Sequence, residues 1–374
     1  MSSAKERIIS IDVLRGLVIV LMAIDHVRVY SGVPANGRTL GIFFTRWITH
    51  FCAPAFVFFA GTSAFLLGRK LNNKAQLARY LVTRGLLLIV LELTVIRFSW
   101  TFNLDYRHWI LFGVIWMLGW CMILLAAIIW LPTWVVGALG ILMIAFQQIF
   151  ALVPRFVPIG WTWELIYPAG LETPQSFRIL YVLMPWIGVM AIGYAFGSIM
   201  TRNSDERRRL CLRIGLVATA VFLLAGIVTA WIGGRSANAP PFVIRILNQQ
   251  KYPPSQLFLL MTLGPTIALL PLAERARGWV GSVLATFGRV PFFYYLLHIP
   301  FIHLVSLLVW YLREGTVHSE YFATAPSVSV PPEHRWGLPL LYLVFFIVVS
   351  LLYFVCRWFA GFKARSEAKW IRYL

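Results

Sequence analysis

Two short stretches of this 374-residue chain place proton-transferring side chains inside apolar surroundings. In "SIDVLRGLVIVLMAIDHVR", residues 10–28, an apolar run opens on Asp12 and Arg15 and closes with Asp25 beside His26. In "GRVPFFYYLLHIPFIH", residues 288–303, His298 follows Tyr294 by four positions on one helical face and precedes Pro300, which frees a backbone carbonyl. An imidazole, with an ordinary pKa of about 6.5, can take and return a proton near neutral pH. His303 falls about 140° further round a helix than His298, so those two do not act as one unit. Arg46 and His50 sit near the start of the second apolar segment, its expected outer end, and Glu92 and Arg97 in the third.

Each of these residues also has an ordinary explanation. Asp12 favours a helix N-terminus and can pair with Arg15, Asp25 can pair with Arg28, and Glu92 can neutralise a neighbouring arginine. Their common depth speaks for more. An ionisable side chain at a membrane helix centre costs about 2.5–3.5 kcal/mol on insertion scales and tends to face a polar cavity.

The elements that must hold these groups are membrane helices. The chain is 60% hydrophobic and only 13% charged, far from a soluble composition. Apolar stretches long enough to cross a bilayer recur near 9–30, 44–67, 79–98, 109–130, 133–153, 179–200, 210–232, 256–272, 281–311 and 337–360. The expected fold is all-α, a polytopic bundle of about ten to eleven transmembrane helices forming one membrane-embedded domain over 1–374, with no separate soluble domain. The 281–311 stretch is too long for one straight span and carries Pro291 and Pro300, which predicts a kink or a protruding end.

The net charge of +19 follows topology rather than nucleic-acid binding. With the N-terminus inside, Lys5, Arg7 and Arg15, the basic runs 69–84, 202–213 and 275–289, and the tail from Arg357 through Lys369 to Arg372 share one face, about 21 of the 33 Lys and Arg residues. Both termini are expected in the cytoplasm, and the lipid bilayer is the first partner. Asp12 and Arg15 interrupt the early apolar run, so the first helix is expected to stay in the protein. Cys52, Cys121, Cys211 and Cys356 lack metal or disulfide spacing, and neither a metal site nor a haem is expected. Trp161 and Trp163, in a long loop expected outside, fit an interfacial aromatic belt or, alternatively, a carbohydrate-stacking surface.

"RIISIDVLRGLVIVLMAIDH", "APAFVFFAGTSAFLLGR", "MPWIGVMAIGYAFG" and "GRVPFFYYLLHIPFIH" resemble, in that order and over nearly the whole chain, the membrane-embedded acyltransferases related to heparan-α-glucosaminide N-acetyltransferase. The resemblance implies a helical bundle, acetyl-CoA taken from the cytoplasmic side, and acetyl transfer to an amine on the far side. The acceptor would be an amino sugar or another envelope carbohydrate, and the setting a bacterial cytoplasmic membrane; a homodimer is one expected assembly. Ile11–Gly16 is similar to the family's L-D-V-F-R-G opening, and His298 to a histidine ten residues after the glycine matching Gly288. The family's proposed catalytic histidine lies in the loop after the first helix, where "NGRTLGIFFTRWIT" has none. His26 stands at an asparagine of the family and His50 at an aspartate.

An ammonium must lose a proton before its nitrogen attacks a thioester, which suits a histidine. The expected base is His26, with Asp25 beside it and His50, or a group from another helix, as its partner. His298 either polarises the thioester carbonyl or shares the proton. Direct transfer and an acetyl-histidine intermediate both stay open. Arg84 and Arg289 either hold coenzyme A phosphates or anchor topology, and Glu92, Arg46, Tyr294, Trp161 and Trp163 are the candidate acceptor contacts. The rival reading is a proton-coupled transporter of a polar solute, in which Asp25, His26, Glu92 and His298 relay protons.

Overall fold

The computed structural model describes residues 8–35, 39–233 and 240–366. Lys5, Arg7, Lys369 and Arg372 lie outside the described residues. Regular structure is almost entirely helical. The first half holds α1 (Ile9–Tyr30), α2 (Leu40–Trp47), α3 (Cys52–Leu71), α4 (Lys74–Leu91), α5 (Arg97–Thr101), α6 (Val114–Ile128), α7 (Thr133–Ala145) and α8 (Trp186–Met200). The second half holds α9 (Ser204–Ile232), α10 (Phe242–Leu247), α11 (Gln256–Ala268), α12 (Leu270–Glu274), α13 (Gly278–Arg289), α14 (Pro291–Glu314) and α15 (Leu338–Arg365). Two three-residue strands, β1 (Ile110–Phe112) and β2 (Phe177–Ile179), pair in parallel.

Five helical stretches among the described residues are long and apolar enough to cross a membrane: Leu40–Leu71, Ser204–Ile232, Gln256–Glu274, Pro291–Glu314 and Leu338–Arg365. A sixth arises if Thr133–Ala145 and Gln147–Arg155, bent by 60°, make one broken span. The chain is a helical integral membrane protein, but helix length does not establish ten or eleven spans. Several apolar stretches are built from short pieces. The 79–98 stretch is α4, then a π-helical turn at Glu92–Ile96, then α5. The 109–130 stretch begins as β1, and 281–311 is divided between α13 and α14, with Pro291 opening α14. The 22-residue α1 has no uninterrupted apolar run of membrane-spanning length because Asp12, Arg15, Asp25 and Arg28 punctuate it.

The chain forms two compact units, Met1–Cys52 with Val95–Leu104 and Leu270–Leu374, and Ala53–Thr94 with Asp105–Leu269. In the first unit α1 and α13 touch backbone to backbone. A Cβ on Gly16 would collide with the Leu284 carbonyl, and one on Gly288 with the Asp12 carbonyl. Hydrocarbon gives helices no hydrophobic reason to associate, so close packing of small residues supplies the adhesion. In the second unit α3 and α8 meet likewise, with Gly61 over the Met190 carbonyl and Gly193 over that of Phe58. Thr62 Oγ1 also donates to the Gly193 carbonyl at 3.0 Å. Two of the four family-like motifs thus pack together as α3 and α8, while the first forms α1 and the fourth runs from Gly288, at its contact with α1, into α14.

Replacing Gly16 or Gly288 by Val forces α1 and α13 apart. Each variant is expected to lose about 1–3 kcal/mol of stability, the usual range for overpacking, seen as a lower melting temperature in detergent. Leu351→Ala, on the exposed face of α15, serves as the comparison and is expected to melt with the unmodified protein; equal melting of all three would contradict this packing.

Candidate active site

The first unit brings its two leading histidines into direct contact. His26, near the end of α1, and His298, on the second turn of α14, place Nδ1 and Nε2 2.6 Å apart. Their rings lie 4.8 Å apart between centroids at 23°. His298 is fully buried, whereas His26 is half-buried.

The protons on this pair follow from their partners. His298 Nδ1 lies 2.7 Å from the Tyr295 carbonyl and 3.1 Å from that of Tyr294. A carbonyl oxygen only accepts, so His298 Nδ1 carries the hydrogen and donates to both. In a neutral ring Nε2 is then bare, and the contact with His26 requires His26 Nδ1–H to donate to it. The neutral His26 ring then carries no hydrogen on Nε2. Both His298 nitrogens are engaged, one by backbone and one by His26. Pro300 leaves the Leu296 carbonyl without its helical donor, but the carbonyls that His298 uses are those of Tyr294 and Tyr295, through their second lone pairs.

Aromatic rings set the walls. Trp100, carried by α5, presents itself edge-on to His26 with centroids 4.9 Å apart, and the Tyr30 hydroxyl donates to the Trp100 carbonyl at 2.8 Å. Arg97, buried one turn earlier, donates from Nη1 to Thr101 Oγ1 and Asn103 Oδ1, both at 2.8 Å, and also to the Asn103 carbonyl. It thereby ties the end of α5 to the next turn. His303 is buried. It stacks on Phe102 at 3.9 Å and its Nδ1–H donates to the Ser99 carbonyl at 3.1 Å. Tyr294 is also fully buried, stacked on His298 at 5.1 Å and 15°, and its hydroxyl has no hydrogen-bond partner.

The other expected residues fall as follows. Asp25 binds Arg28, with Nε at 3.0 Å and Nη2 at 2.9 Å from Oδ1, and Arg28 Nη1 donates to the Val33 carbonyl at 3.0 Å. His50 is buried on the 3-10 turn Ile48–Phe51, which packs on α1; Arg46, in the last turn of α2, is half-buried. Arg289 ends α13 and is exposed. In the second unit, Arg84 Nη1 donates to the Tyr80 hydroxyl at 3.0 Å. Glu92 is buried and accepts from the Ile115 N–H at 3.1 Å, with the amides of Gly113 and Trp116 also turned to it. It occupies the N-terminus of α6, where a carboxylate meets unpaired amides and the positive end of the dipole. Trp163 Nε1 donates to the Phe150 carbonyl at 2.8 Å, and Trp161 sits edge-on to Phe177 at 5.1 Å.

Sequence reasoning passed over Trp100, and it read 313–336 only as a long outer loop without singling out Phe322, His318 or His334. Trp100 left only a faint signal, an aromatic in the polar "RFSWTFN" that ends the third apolar stretch. The segment 315–337 buries Phe322 against Tyr30 at 5.1 Å and His303 at 5.4 Å. Its end is tied to α1 by Trp336 N–H donating to the Ser31 carbonyl at 3.0 Å. Glu314 clasps it, with Oε2 3.1 Å from His318 Nε2 and 2.7 Å from His334 Nδ1. His318 Nδ1 also meets Glu320 Oε1 at 2.8 Å. His334 comes from far along the loop, so no spacing reveals the clasp.

The fold and site define a helical membrane protein built round a hydrogen-bonded histidine pair. Residues 7–246 match the family described as heparan-alpha-glucosaminide N-acetyltransferase, catalytic, and the chain belongs to that family. Membership implies transferase activity. His26, His50 and Glu92 fall inside the matched region, and Tyr294 and His298 beyond it. No curated protein sequence matches the chain. Among the described residues no group of three or more His, Cys, Asp or Glu is placed to hold a metal ion.

The hydrogen bond from His318 holds the Glu320 carboxyl below its usual value. That contact therefore contributes fully above the ordinary carboxylate range and is lost as the pH falls through the lowered value. Amide exchange in 315–337, corrected for intrinsic rate, is expected to accelerate below about pH 4 and, after His318→Ala, to be fast throughout; a flat profile would contradict a stabilising His318–Glu320 contact. Glu92→Ala strands the α6 amides and is expected to lower stability by about 1–3 kcal/mol in thermal melts, with Glu92→Gln losing less; unchanged melting of Glu92→Ala would remove the capping role.

Proposed function

We propose that this protein moves an acetyl group from cytoplasmic acetyl-CoA to the amine of an amino sugar, or of another envelope carbohydrate, on the far side of a bacterial cytoplasmic membrane. Both termini lie in the cytoplasm. The observation that supports this reading is the directed contact between His26 and His298. His26 Nε2 takes the proton from the acceptor's ammonium, and His298, anchored on two carbonyls, holds the His26 ring and its tautomer as the charge arrives. His298 shares in the proton's accommodation rather than polarising the thioester, since neither of its nitrogens is available to a carbonyl oxygen. The logic is that of a base oriented by a third group, here a backbone carbonyl pair.

Asp25 acts through Arg28, which fixes the end of α1 that carries His26. His50 and Arg46 line the acceptor side of the first unit. Arg289 and Arg84 hold phosphates of coenzyme A, and Trp161 and Trp163 offer flat faces to sugar rings. Glu92 serves as a helix cap and not as an acceptor contact.

Purified protein in nanodiscs, given acetyl-CoA and a panel of amino sugars, is expected to release coenzyme A only when an acceptor is present. His26→Ala and His298→Ala are each expected to reduce turnover by about a hundredfold or more. The double variant should fall little further, because the two act as a unit. Full turnover in both single variants would reject this assignment, and solute counterflow in vesicles without any acyl donor would favour a carrier.

A further inference from the structure

The His26–His298 pair handles protons, yet it offers no hydrogen to a thioester carbonyl: His26 Nδ1 and both His298 nitrogens are engaged with each other and with backbone. Acyl transfer also needs a donor aimed at the oxygen that becomes negative as the amine attacks. Stacked against His298 lies a group with one to give. Tyr294 is fully buried, its ring centroid is 5.1 Å from that of His298, and Phe287 closes its other side edge-on at 5.3 Å. Its hydroxyl is without a hydrogen-bond partner. A buried, unsatisfied hydroxyl destabilises a fold, and phenylalanine would fill the same space without that cost. The hydroxyl is explained if a polar ligand atom completes it. Tyr294 is also one helical turn nearer the start of α14 than His298, the side from which a cytoplasmic donor would come under the topology proposed above.

We propose that the Tyr294 hydroxyl donates a hydrogen bond to the carbonyl oxygen of the acyl thioester and holds that oxygen while it carries negative charge. This rests on the acetyltransferase reading and adds a catalytic residue to it. In the step, the lone pair of the deprotonated amine forms the new N–C bond and the C–S bond breaks. The sulfur leaves with its electron pair and takes up the proton that His26 accepted from the ammonium, while the second proton that the nitrogen gives up on becoming an amide is released to solvent. Tyr294 keeps its own proton throughout.

The test is Tyr294→Phe in the full-length protein, with acetyl-CoA and S-ethyl-coenzyme A, a thioether without the carbonyl, as probes. The variant is expected to melt at the same temperature as the unmodified protein or higher. Its turnover should fall by about a hundredfold, the usual effect of removing one oxyanion donor. Unmodified protein should bind acetyl-CoA more tightly than the thioether, and the variant should bind the two alike. Undiminished turnover in Tyr294→Phe, or an unaltered preference for acetyl-CoA, would overturn the assignment of Tyr294 while leaving the acetyltransferase reading intact. Absence of acceptor-dependent coenzyme A release from unmodified protein would overturn both.

Discussion

The hydrogen bond from His26 to His298 organises the first unit, and its direction is set by two backbone carbonyls. Because Tyr294 and Tyr295 accept from His298 Nδ1, His298 can meet its neighbour only as an acceptor, and His26 can meet it only as a donor. In neutral rings that places the hydrogen on Nδ1 of each histidine and leaves His26 Nε2 without one. A lone buried imidazole has no such constraint and can exchange tautomers. The carbonyl pair removes that freedom without introducing a second formal charge into the membrane interior, where an uncompensated charge costs most.

Much of the first unit can be understood as scaffolding for this contact. Gly16 and Gly288 let α1 and α13 approach at backbone distance, which sets the level of His26 against the start of α14. Arg97 ties down the end of α5, which keeps Trp100 against His26. Arg28, held by Asp25, fastens the chain just after α1. Phe322 covers Tyr30 and His303, and Glu314 secures the segment that carries it through two histidines. Ionisable groups that looked equivalent along the chain therefore fall into two kinds. His26 and His298 meet ring to ring, while Arg28 and Arg97 hold backbone in place.

How much of this was legible in the sequence depends on the range of the interaction. Apolar runs of membrane length announced a helical membrane protein, because hydrocarbon demands internally satisfied backbone. His26 and His298 stood out because each interrupts such a run, and their meeting follows from the similar depth of both. The pairing of Asp25 with Arg28 was readable from its spacing. Glu92 was seen as buried, but its partners are amides at the start of another helix, which no side-chain pattern reports. The break in 281–311 was announced by its length and by Pro291, which opens α14, whereas the π-helical turn after Leu91 and the clasp from His334 to Glu314 depend on tertiary packing, of which local sequence carries no periodic mark. Tyr294 was legible as a neighbour of His298 on one face; the lack of a partner for its hydroxyl could be seen only once the surrounding helices were in place.

Selective 15N labelling of the histidine rings, read by solid-state NMR of the protein in lipid at neutral pH, tests the central claim most directly. Nitrogen shifts distinguish protonated from bare ring positions. With His26 and His298 assigned by single-site variants, the structure requires a proton on Nδ1 of each ring and a bare Nε2 on each. A spectrum showing His298 protonated at Nε2, or the two rings without a shared hydrogen bond, would contradict the account.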